Sequence, residues 1–250
     1  MKYFVIADVH GFYDEMLKAL DEKGFDRNNP NHTLISLGDA MDRGKKPLEV
    51  INYLLSLERK ILIRGNHEDL LYELLTYRYP MMHDVHNGTL ETFIRLAKAS
   101  GVELSSDEII DNFSNSRYLA KQTPIMDYFD SLVNNAHIGK YYFVHGWLPY
   151  RYNDDGNIIL EIDSEDPAIL KESRWVSGVK MLEEGVVVPG ETIVCGHWHS
   201  CLFHERFNGC AHNKVFTPFV APGIIAIDAA TALSGIVNCI VIDDDGSVII

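Results

Sequence analysis

Five times this chain passes through a short, apolar, β-branched run that stops abruptly at Asp, Asn or His. The runs are Phe4-Val-Ile-Ala-Asp8, Leu34-Ile-Ser-Leu-Gly-Asp39, Ile61-Leu-Ile-Arg-Gly-Asn66, Tyr142-Phe-Val-His145 and Ile193-Val-Cys-Gly-His197. Runs of this length and composition are buried strands. Between the first three lie helical patterns, Tyr13 to Lys23 with Met16, Leu17 and Leu20 on one face, and Pro47 to Leu57 with Pro47 in the first turn. Strand alternating with helix implies a parallel sheet, and such sheets collect ligands beyond the carboxyl ends of their strands. The five polar termini are therefore predicted to meet.

Residues 67–135 break this grammar. Their helical patterns, Tyr72 to Tyr79, Gly88 to Ala99 and Arg117 to Asn134, predict an inserted helical cap. From Ile138 short strands return, and the last third reads as a second sheet packed face to face on the first. The apolar stretch Phe219 to Ile242 is interrupted by Pro222, Gly223, Asp228, Gly235 and Asn238, so it predicts two buried strands, Gly223 to Ile227 and Ile236 to Ile242, around a turn rather than a membrane span. No linker, repeat or low-complexity tract divides the chain, and residues 1–250 are expected to form one domain.

With 22 basic and 36 acidic residues the net charge is −14, which repels a phosphate backbone and argues against binding of nucleic-acid duplexes. A bound cation would reverse that sign locally. The start, Met1-Lys-Tyr-Phe-Val-Ile-Ala7 running into Asp8, reads as a strand and not a signal peptide, and the four cysteines are too few and too unevenly placed for a disulfide framework. A reducing, cytoplasmic setting is expected.

Taken singly, the polar termini have ordinary readings. Asp8 and His10 share a face at i, i+2 and can grip one cation, but the pair also suits a surface or capping role. Asp39 and Asp42 lie in Gly38-Asp-Ala-Met-Asp-Arg-Gly44, where Asp42 and Arg43 could form a plain ion pair. Asn66 is a credible helix N-cap. His145 suits a hydrogen-bonded structural histidine, and His197 and His199 repeat the i, i+2 spacing. Their coincidence on five strand ends is what points to a metal site. Oxygen and imidazole donors suit Mn²⁺, Fe, Zn²⁺, Co²⁺ or Mg²⁺, and the carboxylates of Asp8 and Asp39 would leave two such divalent ions with an excess charge of about +2, enough to attract a phosphate dianion. A rival cluster, His199, Cys201, His204, Cys210 and His212, lacks the tight two-cysteine turn of structural zinc sites and reads as a hairpin with ordinary buried cysteines.

Five blocks, Asp8-Val-His10-Gly11, Gly38-Asp39-Ala-Met-Asp42-Arg43-Gly44, Gly65-Asn66-His67-Glu68, Val144-His145-Gly146 and Gly196-His197, together resemble the calcineurin-like metallophosphoesterase superfamily. The resemblance is greatest to its phosphoprotein phosphatases and bacterial diadenosine tetraphosphatases. It implies an α/β fold, a four-layer α/β/β/α sandwich of two mixed sheets with a helical insertion, and a dinuclear metal-dependent phosphohydrolase. By the same resemblance Asp8, His10 and Asp39 hold one metal, and Asp39 bridges to a second held by Asn66, His145 and His197. The expected nucleophile is a hydroxide between the metals. Arg43 and Arg174, the latter in Glu172-Ser-Arg-Trp-Val-Ser-Gly178, would clamp phosphoryl oxygens, while His67, oriented by Asp42, would protonate the leaving oxygen. His199 departs from the phosphoprotein pattern and matches the phosphodiesterase branch, where it serves the first metal. Ile227-Asp228 followed by Gly235 resembles the strand pair closing the second sheet. The expected substrate is a phosphoserine or phosphothreonine protein or a small phosphate ester. Diadenosine tetraphosphate, another nucleotide or a phosphodiester is the alternative. A metal-free scaffold of the same fold is the rival from another class, and the full set of ligand types opposes it.

Overall fold

The computed structural model describes residues 1–250 except Val102 and Leu104. Strands β1 (Lys2–Ile6), β2 (His32–Ser36) and β3 (Lys60–Ile63) lie parallel and adjacent, linked by α1 (Tyr13–Glu22) and α2 (Pro47–Ser56). Pro47 occupies the start of α2, where a missing N–H costs no helical bond. Along β1 the side chains part by turns: Phe4 and Ile6 face the helices, while Val5 and Ala7 face the second sheet. Both faces are covered, which is why the run is apolar throughout.

The chain then makes the expected helical insertion through α3 (Asn66–Thr76), α4 (Met82–Asn87), α5 (Thr89–Ala99), α6 (Ser106–Asp111), α7 (Phe113–Ala120) and α8 (Ile125–Asp130). Strand β4 (Leu132–Val133) rejoins the first sheet parallel to β3. The single helix expected over Arg117 to Asn134 is thus two helices and a strand. Pro124, which cannot donate a backbone hydrogen bond, separates α7 from α8.

The second sheet contains β5 (Ala136–Ile138), β6 (Tyr141–Phe143), β9 (Thr192–Cys195), β10 (Phe219–Ala221) and β11 (Ile224–Ala226) in the order β10-β11-β9-β6-β5. A separate hairpin joins β7 (Tyr150–Tyr152) to β8 (Ile158–Leu160). Helices α9 (Pro167–Arg174), α10 (Gly178–Glu183) and α11 (Ser200–Asn208) accompany this half, where Trp147, Met181 and Phe203 pack with Ile193 and Ile224 in one apolar cluster. After α12 (Thr231–Ser234), strands β12 (Cys239–Asp243) and β13 (Val248–Ile249) return to the first sheet, giving the order β13-β12-β1-β2-β3-β4.

The result is a four-layer α/β/β/α sandwich, its two mixed sheets meeting through Val5, Ile35, Leu37, Phe143, Val194 and Ile225. Two further expectations need correction. The late strands do not form one pair: β11 lies parallel to β9 in the second sheet, whereas β12 runs antiparallel to β1 in the first. Ile240 and Ile242 fill the seam between sheets while Cys239 and Val241 face the helices, so β12 satisfies both of its faces beside β1. The expected cysteine hairpin is instead α11, with Cys201 inside the helix and Cys210 just beyond it. The rival zinc donors do not gather, because His204 faces the Thr217 carbonyl and His212 pairs with Glu205. Among the described residues no helix is long and apolar enough to cross a membrane.

Candidate active site

All five predicted runs are strands, three in one sheet and two in the other, and each pair of neighbours among them is parallel. Their carboxyl ends open onto the same edge of the sandwich. There the backbone turns sharply. Eight non-glycine residues have positive φ among the described residues, and six of them are Asp8, His10, Asp39, Asp42, Arg43 and His197. Left-handed backbone costs an L-residue roughly 1–2 kcal/mol and persists where surrounding contacts over-determine it, typically at functional sites.

Asp39 lies at the centre. Its Oδ2 is 3.8 Å from His10 Nε2 and 3.8 Å from His67 Nε2, while its Oδ1 is 3.4 Å from His145 Nε2. Two nests of donor atoms result, His10–Asp39–His67 and Asp39–His145–His197, each with its ligand atoms within 4.8 Å of one another. Asn66 joins the second nest through Oδ1, 2.8 Å from His145 Nε2. It is the first residue of α3 rather than its cap: Gly65 takes the cap position and the Asn66 amide faces His145 instead of the helix end. The Asp8 carboxylate accepts the His197 backbone N–H at 3.0 and 3.1 Å and so ties the first loop to the last.

Hydrogen bonding shows that these groups present lone pairs to common points. His145 Nδ1 is 2.7 Å from the Leu37 carbonyl, which can only accept, so Nδ1 carries the proton and Nε2 is left as an acceptor. That lone pair faces two more acceptors, Asn66 Oδ1 and Asp39 Oδ1. His10 behaves alike, donating Nδ1–H to the Met41 carbonyl at 3.0 Å. Burial lowers the pKa of His145 to about 4 and that of His197 to about 2, and pulls His10 well down, keeping the rings neutral. Burial raises Asp8, Asp39 and Asp228, and neighbouring carboxylates add to each rise. Acidic groups stacked against one another beside neutral imidazoles are a donor set that a cation relieves. One cation is already there: the Arg43 guanidinium donates to His10 Nε2 at 3.1 Å and to His67 Nε2 at 3.2 Å. The residues fit two divalent ions.

Small residues allow the loops to close this tightly. A Cβ on Gly65 would lie 2.2 Å from Asp39 Oδ1, and one on Gly196 would lie 2.2 Å from Asp8 Oδ2. Gly196→Ala should therefore push the Asp8 carboxylate aside and weaken Mn²⁺ binding by about tenfold or more, as disturbed support of a metal ligand does. Calorimetric titration with an unchanged affinity would refute that constraint.

His67 Nδ1 donates to Asp42 Oδ2 at 2.7 Å. Burial opposes protonation of His67, but Asp39 and Asp42 together outweigh it and its pKa is raised. Arg174 is placed differently from Arg43. Its Nε and one terminal nitrogen bind Asp69 at 2.7 and 3.2 Å, the other terminal nitrogen binds Asn134, and Arg64 shares Asp69. These residues line a cleft of about 480 Å³ with Tyr72 and Lys171, outside both nests. His199 also lies outside them, 3.9 Å from Asp228 Oδ2.

Asp228 is read from the sequence only as part of the closing strand pair and not as a site residue, although Gly223-Ile-Ile-Ala-Ile-Asp228 follows the same apolar-run grammar as the five recognised runs. Glu68 was noticed only as part of a block. It is fully buried, and it accepts hydrogen bonds from the backbone N–H groups of Asp39, Ala40 and Gly65 at 2.8–2.9 Å and from the Tyr128 hydroxyl at 3.1 Å. It thus fastens the loops after β2 and β3 to each other and to α8. No local pattern marks Tyr128, 60 residues away.

A sandwich of this topology with paired donor nests about one shared carboxylate has the build of a metallophosphoesterase. Residues 1–201 match the profile of the calcineurin-like phosphoesterases, and the chain belongs to that family. It is 32% identical over 144 residues to the asymmetrical bis(5′-nucleosyl)-tetraphosphatase PrpE of Halalkalibacterium halodurans, covering 53% of this chain and 55% of that protein. It is 38% identical over 84 residues to the PrpE of Bacillus subtilis, covering 30% and 34%. The chain thus spans about half the length, or less, of these curated relatives. A solved cold-active protein-tyrosine phosphatase from a psychrophilic Shewanella shares the fold, with a TM-score of 0.53 and 17% identity over 98% of this chain and 76% of that one.

Proposed function

We propose that this chain hydrolyses a nucleotide phosphoanhydride of the dinucleoside tetraphosphate class. The observation that carries hydrolysis is the division of Asp39 between two nests, with His67 a member of the first and Arg43 against both His10 and His67. The similarity to the PrpE enzymes supports a nucleotide over the phosphoserine or phosphothreonine protein expected first from the Asp42, Arg43 and His67 set.

In this reading Asp8, His10 and Asp39 hold one ion, and Asp39, Asn66, His145 and His197 the other, with His199, which now stands against Asp228, as a further candidate for the first. A pair of divalent ions supplies an acidified water as nucleophile and a sink for phosphoryl charge. Arg43 swings from its two histidines to the non-bridging oxygens, where a planar guanidinium binds two at once. Arg174, once released from Asp69, is the second candidate clamp. His67, held by Asp42, donates its proton to the departing oxygen. The same reading takes residues 1–250 as one domain and, with four free cysteines, places the protein in the reducing cytoplasm.

A turnover panel with Mn²⁺ tests the substrate class. Diadenosine tetraphosphate should show a kcat/KM at least about tenfold above a phosphopeptide, an aryl phosphate and an aryl phosphodiester; a higher value for the phosphopeptide would restore the protein-phosphatase reading. His67→Asn should slow phenyl phosphate by about 10²-fold and 4-nitrophenyl phosphate far less, since a stabilised phenolate scarcely needs a proton. Equal slowing of the two would discard His67 as the acid.

A further inference from the structure

The helical insertion reaches into the pair formed by Asp42 and His67. Thr89, the first residue of α5, is fully buried and its hydroxyl lies 2.7 Å from Asp42 Oδ2, the same oxygen that accepts from His67 Nδ1. A carboxylate only accepts, so the hydroxyl donates. The other oxygen, Asp42 Oδ1, is buried and finds no hydrogen-bond partner among the described residues. Among the described residues, the hydrogen bonds that orient this carboxylate come from two donors, both on one oxygen. One belongs to the group it has to hold; the other is Thr89.

The corner before α5 is shaped to deliver that hydroxyl. Gly88 adopts φ +83°, and a Cβ there would lie 2.5 Å from the Arg43 backbone nitrogen. The insertion thus rests directly on the Asp42–Arg43 backbone, 47 residues away in the chain from Thr89.

The geometry points to Thr89 as a positioning residue for proton donation: its hydroxyl locks the Asp42 carboxylate in the orientation that aligns the His67 ring with the leaving oxygen. This rests on the reading of His67 as the proton donor. Without the hydroxyl, Asp42 is free to turn about its last bond toward Oδ1, and the His67 ring loses its fixed anchor. Thr89 reaches the nests only through Asp42 and His67, and the proposed ligands Asp8, His10, Asp39, Asn66, His145 and His197 keep their own contacts, so metal loading is expected to stay at the parent level.

The test compares Thr89→Val, Thr89→Ser and His67→Asn with the parent, using phenyl phosphate and 4-nitrophenyl phosphate at saturating Mn²⁺. Thr89→Val should lower kcat for phenyl phosphate about tenfold, a fraction of what a full general acid contributes, while 4-nitrophenyl phosphate changes less than about threefold. Thr89→Ser, which keeps the hydroxyl, should restore the parent ratio, and metal content in the Thr89 variants should equal the parent's. If Thr89→Val is too unstable to purify, Thr89→Ala carries the same expectation. A selective loss in His67→Asn with none in Thr89→Val or Thr89→Ala would overturn the role of Thr89 alone. Equal slowing of both substrates in His67→Asn would remove the acid itself, and the inference with it.

Discussion

An Asp39→Asn variant is expected to lose about three orders of magnitude in kcat, equivalent to roughly 4 kcal/mol of transition-state stabilisation, and to retain fewer metal ions than the parent. The cause lies in how the carboxylate is shared. Oδ2 faces His10 and His67, and Oδ1 faces His145, so both nests draw an anionic donor from one side chain. An amide offers one neutral oxygen and turns an N–H₂ toward the other nest, where it repels a cation. The replacement is nearly isosteric, and the His67 backbone N–H, which now donates to Asp39 Oδ1 at 3.0 Å, keeps an acceptor if the amide oxygen takes that side. Metal analysis alongside steady-state rates in excess Mn²⁺ separates the cases. A rate and a metal content equal to the parent's would eliminate Asp39 as the shared ligand.

The second large effect concerns stability. Glu68→Ala should cost about 3–5 kcal/mol of unfolding free energy, because it strands buried donors that the carboxylate now satisfies. Those donors are three backbone N–H groups and the Tyr128 phenol, so the loss spreads over the loops after β2 and β3 and the insertion at once. A domain typically has only about 5–15 kcal/mol in reserve, so the variant should unfold at markedly lower urea. Glu68→Gln retains one acceptor oxygen and should fall between the two. A change below about 1 kcal/mol for the alanine variant would show that Glu68 is not the fastening point described.

Much of this architecture is legible in the chain itself, and the reason is physical. Strands covered on both faces have to be apolar at every position, so Phe4 to Ala7 or Ile193 to Cys195 cannot be mistaken for surface segments, and the polar residue that ends each run marks the edge of the sandwich. The glycines Gly38, Gly65 and Gly196 stand inside the recognised blocks, and the structure gives the reason: loops that meet this closely leave no room for a side chain. What stayed hidden depends on contacts between distant segments. The guanidinium of Arg174 is engaged by Asp69, 105 residues earlier, a pairing that no spacing rule encodes. The allotment of β12 to the first sheet was missed because an apolar strand satisfies either sheet equally well by composition. Thr89 was missed because a threonine opening a helix looks like any other.

The bond from Tyr128 to Glu68 bears on how freely this scaffold can be re-engineered. An excursion between two neighbouring strands looks like a detachable module, suited to trimming or exchange for another enzyme's cap. Here, among the described residues, it supplies the only side-chain hydroxyl on a buried acid that ties two site loops together. Grafting a foreign cap onto the bare sandwich would need a replacement donor at that spot, or the transplanted enzyme would fail by unfolding long before its new selectivity could be measured.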